Sequence, residues 1–305
     1  MSNIIALVWD FDKTLVDGYM QDPIFEEKGI LSKDFWNEVN LERETIEKEQ
    51  GVRINKDTYY LNVFIREARR GGRFEGLNNE KLKEYGQKIR FYPGVIDFFS
   101  RIKTIAEDDP TYREHDIKIE CYIVSTGFKA TIEGSPIMPY IDGVWGCEFV
   151  EKNIDGIQRI SEIAYSLDNT SKTRALFEIN KGAGKTDGVD ANTKMDEEIR
   201  RVRFINMIYS ADGPSDVPAF SIVNKYGGVT FGVYPKGDEK ALRNIEQLRK
   251  DGRISHFAEA DYTEGSAAHM WLNLKIREIA DRIVEENKER LKRGMGGSSP
   301  EHLSS

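Results

Sequence analysis

The chain holds little of what several protein classes require. It has two cysteines in 305 residues, Cys121 and Cys147. Cys121 lies in an apolar strand-like run, and reduced, structural cysteines are expected rather than a disulfide framework. Its four histidines are scattered, without metal-site spacing. No stretch approaches the roughly 18 apolar residues of a membrane span, so no membrane partner is expected. The formal net charge is −8 and basic residues form no long block. Non-specific nucleic-acid binding, which depends on neutralising phosphates, is therefore not expected. The N-terminus enters an apolar run without the basic segment and long apolar region of a secretory signal. The cytoplasm is the expected location. The length allows one large domain or a core with a second unit.

What is present is a set of carboxylates placed just after apolar runs. Ile4 to Trp9 reads as a buried strand and is followed by Asp10-Phe11-Asp12-Lys13-Thr14-Leu15. Ligands of open α/β sheets bind beyond the carboxyl ends of the strands. An acidic pair there suits a hard cation, or an attacking carboxylate with a proton donor. A second run, about Ile117 to Val124, leads into Ser125-Thr126-Gly127-Phe128. A hydroxyl and a backbone amide freed by glycine suit a phosphate oxygen. In Asn169 to Leu176, Thr170 is the expected N-cap of a helix stopped by Gly182. Lys172 then falls in the first turn, where a cation opposes the helix dipole unless it faces an anion. A third run, Phe204 to Ile208, precedes Asp212-Gly213-Pro214-Ser215-Asp216.

These four segments, in this order and context, resemble the haloacid dehalogenase superfamily, most closely its phosphoserine-phosphatase-like branch. The resemblance covers roughly residues 1–16 and 91–265. It implies a Rossmann-like, doubly wound parallel α/β core carrying an inserted α-helical cap. The implied boundaries are a catalytic core over 1–16 and 91–292, a cap over 17–90 and a disordered tail over 293–305. It further implies a phosphatase that forms an aspartyl-phosphate on Asp10, with Asp12 as general acid and base. Mg2+ would be held by Asp10, Asp212 and the Asp12 carbonyl, with Asp216 ordering its surroundings. Ser125, Thr126, Gly127 and Lys172 would hold the substrate phosphate. The second aspartate favours phosphate esters over halides, since an alkoxide needs a proton on leaving and a halide does not. The absence of spans excludes the transport-ATPase members. Three positions depart from the pattern: Ala211 for a frequent glycine, Ser215 for a frequent asparagine, and Tyr19 for the acidic residue that meets a substrate ammonium. The last argues against phosphoserine, although Asp17 and Asp22 are near.

Three amphipathic helices are expected in the cap: Lys33–Gln50 behind Ser32, Lys56–Arg70, and one starting near Asn78. Arg66, Arg69, Arg70 and Arg73 read as a solvated helix end, with an anion site as the alternative. Tyr59, Tyr60 and Phe64 read as core, with a pocket wall as the alternative. A β-hairpin insert is expected at about 144–165, a late strand at Gly228–Val233 and a final helix over Ala267–Lys292. Lys181-Gly182-Ala183-Gly184-Lys185-Thr186 imitates a nucleotide loop. It has Ile179 where the first glycine belongs, and it follows a helix. The expected function is Mg2+-dependent hydrolysis of a small phosphorylated metabolite. A phosphotransferase using the same intermediate and a non-catalytic phosphate-ligand binder are the alternatives.

Overall fold

Strand β1 (Ile4–Trp9) is the axis of the molecule, and its side chains from Ile5 onward are wholly buried. A strand covered on both faces reads as a continuous apolar run, which is why it was visible without alternation. In the computed structural model, which describes residues 2–295, six more strands join it. They are β2 (Lys118–Phe128), β3 (Gly143–Ile154), β4 (Ile157–Tyr165), β5 (Met207–Ala211), β6 (Val229–Tyr234) and β7 (His256–Glu259). The order is β4-β3-β2-β1-β5-β6-β7. Every neighbouring pair is parallel except β3–β4, which is antiparallel. The chain leaves β1 towards β2 and later returns on its other side as β5. The crevice beyond β1 and β5 is thus the point where strand order reverses, where such sheets bind ligands.

Four helices lie between β1 and the rest of the core: α1 (Asp22–Lys28), α2 (Ser32–Gln50), α3 (Tyr59–Glu67) and α4 (Asn79–Gly86). The core adds α5 (Val95–Ile102), α6 (Thr104–Glu107), α7 (Pro110–Glu114), α8 (Lys129–Glu133) and α9 (Lys172–Lys181). It ends with α10 (Val217–Lys225), α11 (Glu239–Lys250) and α12 (Ala267–Met295). This is the α/β fold with an inserted helical cap. The two crossings between core and cap are tied together: Tyr92 N–H donates to Leu15 O and Asp17 N–H to Arg90 O, each at 2.9 Å. On the far side, α4 lies directly on α8. A Cβ on Gly86 would stand 2.1 Å from Thr131 O, and one on Gly134 would stand 2.0 Å from Lys83 O. Only glycine permits that approach.

Several boundaries differ from the sequence reading. Phe204–Asn206 is a 3-10 turn, and β5 starts only at Met207. Buried Asn206 donates its amide to Ser2 O and Ile4 O, fixing the start of the sheet instead of joining it. Strand β2 runs on through Ser125 to Phe128, with its register to β3 shifting between Val124 and Phe128. Helix α3 is shorter than expected, because Lys56 and Asp57 precede it in a turn and Arg70 follows it. The hairpin forms, but its first strand begins as a parallel neighbour of β2. The last helix runs past Lys292 to Met295, and residues 296–305 of the expected tail lie outside the described residues.

Candidate active site

Asp10 leaves β1 into the crevice and is anchored by its own N–H donating to Ser210 O of β5 at 2.9 Å. The residue is 6% exposed. Lys13 adopts φ 57°, a left-handed turn that swings the chain away from the strand axis. Asp12 Oδ1 accepts from Met20 N–H at 2.8 Å. Asp12 therefore sits against the first residues of the cap, and it lines the cavity between cap and core.

Lys172 is 1% exposed. Its ammonium donates to Asp10 Oδ1 at 2.7 Å and to Asp216 Oδ1 at 2.6 Å. Asp216 is fully buried and also accepts from Tyr209 Oη at 2.6 Å and Ser215 Oγ at 2.8 Å. The expected unfavourable lysine in a first helical turn thus faces two anions. The cap of α9 is not Thr170. Asp168 Oδ1 accepts from the N–H groups of Thr170 and Ser171 at 3.0 and 2.7 Å, so the turn starts two residues earlier.

Asp10, Asp212 and Asp216 each place one carboxylate oxygen within 4.8 Å of the others. Burial pushes Asp10 up from the carboxylate range to about 6, with Lys172 opposing and Asp216 adding to the shift. Burial, then Asp10 and Asp216, push Asp212 up to about 7. Burial and the neighbouring Asp10 hold Asp12 well above the ordinary range. Lys172 is pulled down by burial, but Asp10 and Asp216 more than reverse this and leave it raised. One buried cation does not neutralise this many carboxylates, and an all-oxygen donor set suits a hard divalent ion. The residues present fit Mg2+.

Ser125 is buried, and its hydroxyl accepts from Gly127 N–H at 3.0 Å. Gly127 serves packing as well as the expected approach to a ligand. A Cβ there would meet Met20 Cε at 2.2 Å, and Met20 Sδ accepts from Phe128 N–H at 3.0 Å. Thr126 lines the cavity, while its carbonyl accepts from Tyr60 Oη at 2.7 Å. The cavity has a volume of about 360 Å3, and sequence reasoning missed five of its other walls: Gln21, Trp36, Asn40, Lys56 and Asp57. No motif marks them. Tyr60 is both core and cavity wall, Phe64 is core, and Tyr59 donates to Glu42. Arg66 pairs with Glu42 and Arg73 with Glu38 and Glu67, so these guanidiniums brace the cap. Arg70 donates to Asp155 O in the hairpin. The Lys181–Thr186 segment closes α9 at Gly182, and Lys181 Nζ donates to Ala191 O and Thr193 O.

Comparison with solved structures aligns this architecture with a haloacid dehalogenase family hydrolase of Salmonella enterica serovar Typhi. The TM-score is 0.51 at 13% identity, covering 84% of this chain and 67% of that one. A phosphoserine phosphatase in its apo form aligns at TM-score 0.50 and 14% identity, over 85% of this chain and 96% of that one. The chain has the haloacid dehalogenase fold. In sequence it is 38% identical over 289 residues to an uncharacterized protein of Borreliella burgdorferi, covering 90% of this chain and 97% of the other. The two belong to one family within this fold. No protein-family model matches the chain. Among the described residues, no helix of this haloacid dehalogenase fold is long and apolar enough to cross a membrane.

Proposed function

We propose that the protein is a Mg2+-dependent phosphatase acting on a small phosphorylated metabolite, with Asp10 as nucleophile. The observation that carries this reading is the buried cluster Asp10–Lys172–Asp216 beside Asp212, at the reversal point of the sheet. The cap is taken as residues 17–90 and the catalytic core as 1–16 and 91–292.

Asp10, Asp212 and the Asp12 carbonyl would hold the ion, with Asp216 behind them. When bound, Mg2+ supplies positive charge between two anions and polarises the phosphoryl group. Lys172 fixes one oxygen of Asp10, so the carboxylate is oriented before substrate arrives. A carboxylate oxygen of Asp10 forms a bond to phosphorus as the bond from phosphorus to the ester oxygen breaks. Asp12, whose burial beside Asp10 raises its affinity for a proton, would give that proton to the departing alkoxide. In the second half, Asp12 takes a proton from water attacking the acyl-phosphate, and inorganic phosphate leaves. Ser125, Thr126, Gly127 and Lys172 would stabilise the equatorial oxygens, where charge accumulates. The cap lies over the cavity and limits water.

The test is phosphate release from a panel of phosphate esters with Mg2+, with chelator, and with Asp10→Asn. Metal-dependent release that the variant lacks supports the reading. Release by the variant equal to wild type overturns it. Transfer only when an alcohol acceptor is added would make the enzyme a phosphotransferase.

A further inference from the structure

The carboxylate of Asp12 is held at one point. Its Oδ1 accepts from Met20 N–H at 2.8 Å, and among the described residues no other hydrogen bond reaches that carboxylate. Lys13, next in the chain, directs its ammonium to Tyr19 Oη at 2.6 Å. The neighbouring carboxylates of Asp10, Asp22 and Asp212 act on Asp12 by charge alone. Met20 N–H is in turn fixed by a tight turn just before α1. Asp22 Oδ2 accepts from Tyr19 N–H at 2.7 Å, and Asp22 N–H donates to Tyr19 O at 3.0 Å. The direction in which the Asp12 carboxyl points is therefore set by where Met20 sits.

The side chain of Met20 meets the segment Ser125–Phe128. It is fully buried, and its Sδ accepts from Phe128 N–H at 3.0 Å. A Cβ on Gly127 would stand 2.2 Å from Met20 Cε and 2.5 Å from Met20 Sδ. Gly127 does not adopt a positive φ, so its missing side chain makes room for this contact rather than for an unusual backbone. The neighbouring peptide is held separately: Thr126 O accepts from Tyr60 Oη at 2.7 Å and from Cys147 Sγ at 3.2 Å. The loop is thus a fixed body on which Met20 rests. Methionine is pliable as a rule. This one has no solvent to swing into and its sulfur is engaged, so a push at its tip passes to its backbone and from there to Asp12.

Resting on the phosphatase reading above, we infer that Met20 is a positioning residue that links the phosphate loop to the general acid, so that Asp12 is aimed at the ester oxygen only while Gly127 and Phe128 are in place. Met20 acts through Asp12 and not on the substrate. Its backbone N–H holds the acid, its thioether reads the loop, and the two contacts belong to one residue.

The experiment measures kcat/KM of the Mg2+-loaded full chain on phenyl phosphate and 4-nitrophenyl phosphate in each preparation. The two esters are alike in shape, but the more basic phenolate leaves with the help of a proton and the nitrophenolate leaves without one. Weaker holding of the phosphate lowers both, whereas a misaimed acid lowers phenyl phosphate alone, so their ratio isolates the acid. Gly127→Ala is expected to lower the ratio of phenyl to nitrophenyl ester at least about fivefold, a part of the roughly 10²–10⁴-fold that a well-placed acid contributes. In a Met20→Ala background, where no side chain spans the gap, the same glycine change is expected to move the ratio by less than about twofold. Met20→Val, which keeps more of the buried volume, serves the same purpose if Met20→Ala does not fold. In Asp12→Asn, which has no acid to misaim, the glycine change should again leave the ratio unmoved. Each readout is a ratio within one preparation, so partial misfolding of a variant cancels. A Gly127→Ala variant that loses both esters equally overturns the inference and leaves the phosphatase reading standing, as does a wild type that uses the nitrophenyl ester but not the phenyl ester. A ratio that falls as far without the Met20 side chain as with it removes Met20 as the link, and one that falls in Asp12→Asn removes the acid. No release from either ester, or from any ester of a wider panel, removes the phosphatase reading itself.

Discussion

Replacing Lys172 by methionine separates electrostatics from packing in the buried cluster. Methionine keeps the length and most of the volume of lysine but brings no charge. In the variant, Asp10 and Asp216 face each other without the ammonium that now stands 2.7 and 2.6 Å from them. Removing one partner of a buried ion pair costs about 3–5 kcal/mol. In a chain of 305 residues, where each kcal/mol moves the midpoint by roughly 2 °C, Tm should fall by about 6–10 °C. The loss depends on pH, and the sign can be worked out. Asp10 in the intact site already has its pKa raised to about 6 by burial. Without Lys172 it rises further, so the folded variant binds a proton that the unfolded chain releases near pH 3.8. The stability of the variant therefore falls as pH rises through and above 6. The gap to wild type is small at about pH 5 and large at about pH 8. Thermal and urea denaturation of both proteins, with chelator present, measures the gap directly. In an Asp216→Asn background the same substitution should cost less, by roughly 1–3 kcal/mol, because the two share an interaction. A gap that is the same at both pH values would mean that Lys172 matters for packing alone, and the electrostatic account of the site would be wrong.

Other expectations follow from the same geometry. Asp10→Asn should lower phosphate release at least about 10³-fold while leaving the circular dichroism spectrum unchanged, as expected for loss of the nucleophile. Asp12→Asn should lower release from alkyl phosphates by about 10²–10⁴-fold and from 4-nitrophenyl phosphate much less, because a nitrophenolate leaves without a proton; equal losses on both would remove Asp12 as the acid. With chelator, wild-type stability should fall between about pH 4 and pH 7, since the raised carboxyl groups of Asp10 and Asp212 bind protons in the folded state that the unfolded chain has released. Mg2+ should raise Tm more at about pH 8 than at about pH 5, and scanning fluorimetry across that range with and without the ion tests this.

The core was legible because physics writes it into short stretches. A strand buried on both faces must be apolar throughout, so β1 showed itself as six residues. Lysine in the first turn of a helix is locally unfavourable, and that conflict correctly marked Lys172 as a residue facing an anion. Strand β7 could not be read, since His256–Glu259 is four residues long with one buried side chain and no period to detect. The start of β5 was misplaced because Phe204-Ile205-Asn206 has the composition of a strand, and only contact with the N-terminus turns it into a 3-10 segment. Tyr209 directly follows the run Phe204 to Ile208 and was given no role there, although its hydroxyl donates to Asp216. Gln21 and Trp36 carry no motif at all. Their place in the cavity wall depends on how the cap packs over the core, and no local pattern encodes that.

The two halves of the site solve different electrostatic problems. On the core side, Asp10, Asp12, Asp212 and Asp216 crowd around one buried lysine, and burial raises Asp10, Asp12 and Asp212 from their ordinary range. Such a cluster is poor for stability, and its cost is relieved only when something positive enters or a proton is taken up. On the cap side the opposite holds: Arg66 and Arg73 are matched to Glu38, Glu42 and Glu67 within the cap itself. The charges of Arg66 and Arg73 are thus used to hold helices α2 and α3 together and are withdrawn from the cavity. What the cap presents at the cavity is amides, aromatic rings and the oppositely charged Lys56 and Asp57. Chemistry that needs strong fields is therefore placed on the rigid sheet, and selection that needs shape and hydrogen bonding is placed on the cap. On this division, exchanging cap residues such as Gln21 or Tyr19 should change which ester is used, while exchanging Asp10 or Lys172 should change whether any ester is used.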